Sequence, residues 1–156
     1  MSFDLFLYPC DAGAFDRRTF QRFFGDRENY QLMGDEQQQA WYSNSDTGVY
    51  FSFEWSAGEG SDDPEDPAAR PHIAFNLNLF RPDYFSQEAA SELDAVVVAL
   101  SPEIYDPQFD GMGRGPYSHD GFLRSWRSSN ASAHRALQND PDVSCHLLSA
   151  SKNEAM

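Results

Sequence analysis

The chain has 156 residues, a length that suits one domain able to bury roughly 70% of the surface its unfolded form exposes. Its hydrophobic content of 40% and aromatic content of 15% exclude a disordered chain. Twenty-five acids against eleven bases give a formal net charge of -14, which repels phosphate backbones and anionic lipid heads and attracts basic partners.

Phe3-Asp4-Leu5-Phe6-Leu7-Tyr8 predicts a strand ended by Pro9, apolar on both faces and so interior to a sheet. Phe20, Phe23 and Phe24 follow i, i+3, i+4 spacing and predict a helix over 15–24. Arg17, Arg18 and Arg22 face outward on it, and Gly25 stops it. Short strands are predicted at Tyr30 to Met33 and Gln39 to Ser43. The turn Asn44-Ser45-Asp46-Thr47-Gly48 then leads into Val49 to Trp55, in the clearest hairpin pattern of the chain. Residues 57–71 read as a loop rich in Gly, Pro and Asp. Ile73 to Phe80 alternates as a strand, and Asn76 and Asn78 on its second face predict exposure or a hydrogen-bonding role. Phe85, Ala89, Leu93, Val96, Val97 and Leu100 mark one stripe of a helix ended by Ser101-Pro102. Glu103 to Asp106 reads as a short strand and 109–117 as a Gly-rich loop. Ser118 caps a last helix that buries Phe122, Trp126, Ala133 and Leu137. A further short strand is predicted around Val143 to Leu148, with a frayed tail over 149–156.

The order β-α-β-β-β-β-α-β-α predicts an α+β fold. One domain over 1–148 would carry a curved antiparallel sheet, with about three helices packed mainly on one face. Cys10 and Cys145 are too few for a disulfide framework. Met1 is not followed by a signal-like segment, and no apolar run reaches the ~20 residues of a membrane span. These features predict a soluble, reduced, cytoplasmic protein.

No catalytic or cofactor signature stands out, so neither a catalytic residue, a metal ligand nor a cofactor is assigned. His72, His119, His134 and His146 lack metal-ligand spacing, and His119 and Asp120 are too close along a helix to form a dyad. Glu103, Asp106 and Asp110 could hold a metal or do acid–base work, but they do not match a calcium loop and read as turn-forming acids. The stretch 111–115 lacks the spacing of a phosphate-binding loop, yet Arg114 beside a helix start could meet an anion.

The sharpest charge feature is Glu59, Asp62, Asp63, Glu65 and Asp66, which can be read as a solvated loop or as an arm that fills a basic cleft. Trp41, Tyr42, Tyr50 and Trp55 exceed what one strand face can bury. Exposed Trp and Tyr are favoured contact anchors.

Three stretches carry a resemblance: Ala40-Trp41-Tyr42 through Thr47-Gly48-Val49-Tyr50-Phe51, then Phe75-Asn76-Leu77-Asn78-Leu79-Phe80-Arg81-Pro82, then Tyr105-Asp106-Pro107-Gln108. Together they resemble small bacterial proteins akin to immunity proteins of polymorphic or type VI secretion toxins. The resemblance spans roughly residues 3–137 and implies a cytoplasmic neutraliser of a cognate toxin; the acidic charge speaks separately against a nucleic acid or membrane partner.

Three readings follow. The first is a toxin inhibitor that binds through Glu59, Asp62, Asp63, Glu65, Asp66, Tyr50 and Trp41. The second is a small-molecule or anion-binding enzyme built on the 109–117 loop with Arg114, Asp106 and Asp110. The third is an effector adaptor or chaperone.

Overall fold

The computed structural model describes residues 2–10, 15–60, 62, 63 and 65–139, so the strand expected around Val143 to Leu148, the tail 149–156 and Cys145 lie outside the described residues. In chain order the elements are β1 (Ser2–Tyr8), α1 (Arg17–Gly25), β2 (Tyr30–Met33), β3 (Gln39–Ser43), β4 (Tyr50–Ser56), β5 (His72–Asn78), α2 (Asp83–Leu100), β6 (Glu103–Asp106), β7 (Gly113–Gly115) and α3 (His119–Gln138).

The strands form one antiparallel sheet in the order β2-β3-β4-β5-β1-β6-β7. The fold is α+β, an open sheet with three helices among the described residues. As its double-sided apolar pattern predicts, β1 is interior, flanked by β5 and β6.

Local chemistry starts and stops each helix. Asp16 caps α1, its Oδ1 accepting from the Thr19 backbone N–H at 2.9 Å. Ser118 caps α3 in the same way, through the Gly121 N–H at 3.0 Å. Ser101 turns left-handed at φ 48° to end α2, and Pro102 prevents its continuation.

Alternation along each strand sorts side chains to two faces. Phe3, Leu5 and Leu7 of β1, Phe51 and Phe53 of β4, Ile73, Phe75 and Leu77 of β5, and Ile104 of β6 are all buried with the apolar stripes of the three helices. Phe75 sits at the centre, its ring 5.2 Å from Phe53, 5.8 Å from Phe51 and 5.8 Å from Phe122 of α3. The helices cover this face.

One element departs from the sequence reading. The stretch 109–117, expected to be a loop, contains β7, which pairs with β6 as Ile104↔Gly115, Tyr105↔Arg114 and Asp106↔Gly113. An edge strand uses only backbone groups, so glycines form it without leaving a side-chain pattern. Gly113 at φ +66° and Gly115 at φ +143° supply conformations that other residues rarely adopt.

Candidate functional site

Among the described residues, the second sheet face carries no helix. Strand register lays its side chains in rows. One runs Gln31–Trp41–Ser52–Asn76–Asp4 from β2 to β1, and the next runs Gln39–Glu54–Ala74–Phe6–Tyr105–Arg114 from β3 to β7. At the end formed by β3, β4 and β5 the face is open, with a depression of about 280 Å³ lined by Ser2, Trp41, Tyr50, Ser52, Asn76 and Asn78.

Trp41 is 42% exposed. Its indole stacks on Tyr50 at 5.9 Å and 18° between planes. Tyr50 is fixed from behind, by the Phe85 ring at 5.7 Å and by Arg81, whose Nε donates to the Tyr50 hydroxyl at 2.8 Å. Asn76 Nδ2 donates to Asp4 Oδ1 at 2.6 Å, so the asparagine is both exposed and hydrogen-bonded.

The other end of the face is roofed by the 57–71 loop. The Tyr8 hydroxyl donates to the Pro67 carbonyl at 2.7 Å, and His72 is buried between Phe6 and Tyr8, its Nδ1 2.7 Å from the Arg70 carbonyl. The loop's neck is closed by the Glu59 N–H on the Ala68 carbonyl at 2.9 Å. Asp63 and Asp66 hold its turns, accepting from the Glu65 and Ala68 N–H groups at 2.9 Å each. Glu59, Asp62 and Glu65 remain solvent-facing acids of this loop.

The acidic loop and Arg114, which belong to separate hypotheses on sequence alone, lie together in the structure. Arg114 lies 4.0 Å from Glu65 and 4.4 Å above the Tyr105 ring. The residues of the anion-binding reading are not assembled, because Arg114 projects to the helix-free face whereas its β6 neighbour Asp106 points into the helix layer. Asp106 is 1% exposed and accepts from the Gln108 and Met112 N–H groups and the Ser125 hydroxyl. Asp110 accepts from Ser128 on α3. His119 pairs with Asp94, 2.7 Å away on α2, rather than with Asp120.

Tyr42, counted among the surplus aromatics, is buried. Its hydroxyl donates to Glu88 on α2 at 2.6 Å, and burial first, then Glu88, pushes its pKa up to about 12. Burial likewise raises Tyr30 and Tyr117 well above the ordinary tyrosine value. Protons kept by the fold but released by the unfolded chain near pH 10 make this stability complete below that pH. It is lost as the pH climbs toward the raised values. Ultraviolet phenolate titration one unit above the ordinary tyrosine pKa should therefore show fewer ionised phenols than the seven tyrosines. The remainder should appear on adding denaturant. Full ionisation of the folded protein at that pH would contradict the burial of Tyr30, Tyr42 and Tyr117.

No protein-family model, curated protein or solved structure matches the chain. Among the described residues no helix is long and apolar enough to cross a membrane.

Proposed function

We propose that this is a cytoplasmic bacterial immunity-type protein that binds a basic toxin and occludes its active site. The helix-free sheet face carries this reading: it exposes Trp41 on a braced aromatic stack at its open end and bears the acidic loop at the other. Trp, Tyr and Arg dominate the energetic centres of protein interfaces, and a rigid aromatic anchor loses little entropy on binding. The surplus of acids, concentrated in six acids and no base over 54–66, supplies the complementary field for a basic cleft. Binding needs no cofactor, and nucleic acid and anionic membrane are repelled by the same charge.

The test is recovery of a stoichiometric basic partner with the tagged full chain at low salt, followed by expression of that partner alone and together with this protein. Toxicity relieved by co-expression supports the reading. A partner that keeps its activity in the complex makes the protein an adaptor instead.

Charge on the loop should act on association. The variant Glu59→Gln, Asp62→Asn, Glu65→Gln leaves the turn-holding Asp63 and Asp66 in place, and stopped-flow mixing should show an on-rate lower by about tenfold at low salt, with a flatter salt dependence and little change in off-rate. An unchanged on-rate would remove this loop as the steering element.

A further inference from the structure

We propose that Trp41, with Glu54 beside it, is the seat for an arginine side chain of the partner protein; this rests on the reading of the helix-free face as the docking surface. On that face the chain pairs its own tyrosine rings with cations. Its three tyrosines each carry an intramolecular guanidinium: Arg70 lies 3.9 Å from the Tyr8 ring centroid, Arg114 lies 4.4 Å from that of Tyr105, and Arg81 lies 5.4 Å from that of Tyr50. Trp41 has none among the described residues, although indole is the strongest cation acceptor of the three aromatic types and this one is 42% exposed. Phe6, the other ring of these rows, is half-buried against Tyr105 and His72, so Trp41 is the exposed ring of the face without a guanidinium among the described residues.

A carboxylate stands where that guanidinium would need one. Trp41 is opposite Ser52, and Glu54 is two residues further along β4 on the same face, a diagonal neighbour at about 7–8 Å. Glu54 is exposed, and the Gln39 side-chain amide donates to its Oε2 at 3.0 Å, which orients the carboxylate and leaves Oε1 to accept. Asp4 is less suited, because Asn76 donates to its Oδ1 at 2.6 Å and Ser2 to its Oδ2 at 3.2 Å. The Tyr50 stack, itself held by Phe85 and Arg81, fixes the indole plane before anything binds.

A planar guanidinium can lie flat on an indole and direct its N–H groups sideways to a carboxylate. The ammonium of lysine matches that geometry less well. The net charge of -14 selects the basic class of partner, and Trp41 with Glu54 selects the side chain within that class.

The probe is a capped peptide of arginines spaced by glycines, compared with the same peptide carrying citrulline, the neutral isostere, and with the lysine version. The isotope-labelled full chain offers three indole N–H signals, from Trp41, Trp55 and Trp126. The arginine peptide is expected to shift the Trp41 signal saturably and leave that of the buried Trp126 unmoved. The lysine peptide should bind more weakly and the citrulline peptide should leave Trp41 in place. Trp41→Ala should weaken the arginine peptide by about tenfold and Glu54→Gln by about threefold.

A peptide that binds without moving the Trp41 signal, or equal binding to the Trp41→Ala protein, would overturn the assignment, as would an equal response to citrulline. The two proposals fail separately. A toxin neutralised as well by the Trp41→Ala protein removes the arginine seat and leaves the inhibitor reading. A Trp41 response to arginine with no toxin bound does the reverse.

Discussion

Phe75→Ala is expected to destabilise the protein by about 3–5 kcal/mol, the range for truncating a fully buried phenylalanine, and to lower Tm by roughly 10 °C in a domain of this size. Phe75 is 0% exposed and contacts rings on both its neighbouring strand and α3, so the void it leaves is walled by Phe51, Phe53 and Phe122. Those rings belong to two rigid layers, and collapse onto the void would require sheet and helix to approach each other, which the surrounding contacts resist. The matched control is Ser52→Ala. Ser52 neighbours Phe53 in sequence and lies opposite Asn76, one residue beyond Phe75, but on the helix-free face. It should cost less than about 0.5 kcal/mol. Denaturant unfolding followed by tryptophan fluorescence checks both. Similar losses for the two variants would mean that the faces have been assigned wrongly.

Most of the fold was legible because its information is local. A run apolar on both faces marks β1, alternation marks β4 and β5, the i, i+3, i+4 aromatic spacing marks α1, and Ser118 marks the start of α3. What escaped were features whose signal is a pairing rather than a pattern. Strand β7 consists of Gly113, Arg114 and Gly115, and its backbone bonds to β6 leave no hydrophobic periodicity to read.

The site was legible in part. The excess of aromatics over one strand face pointed to Trp41 and Tyr50. It pointed equally to Tyr42, which is buried with its hydroxyl donating to Glu88, a residue distant in sequence. Alternation puts Glu54 on the Tyr50 and Ser52 face of its strand, but its place beside Trp41 depends on the β3–β4 register, which a tighter reading of the Asn44 to Gly48 turn fixes. The roofing of Tyr8 and His72 by the 57–71 loop depends on a long-range contact to Pro67 that no spacing encodes.

On sequence alone Asp106 reads as a candidate acid–base or metal-binding carboxylate, but it shares the buried face of β6 with Ile104, two residues away, and so points inward. Asp106→Ala is expected to cost about 3–5 kcal/mol, because it would orphan three donors at once: the Gln108 N–H at 3.0 Å, the Met112 N–H at 3.0 Å and the Ser125 hydroxyl at 2.6 Å. These bonds tie the 107–112 segment and α3 to β6, so the loss falls on the packing of α3 as well as on the loop. Asp106→Asn keeps one carbonyl acceptor and should cost about half as much.

The close fit can be tested from the other side. A Cβ built on Gly111 would stand 2.5 Å from the Asp106 carboxyl carbon, so Gly111→Ala must displace the same carboxylate. In the background of Asp106→Ala that clash is gone, and the second substitution should add little. A double-mutant cycle by denaturant unfolding should therefore show a coupling of about 1 kcal/mol or more between the two positions. Additive losses would mean that Gly111 is needed for its own backbone conformation rather than for the space it leaves to Asp106. A coupled pair would establish this carboxylate as a buried fastener between sheet edge and helix, which explains an ionisable group at this depth without assigning it any chemistry on a substrate.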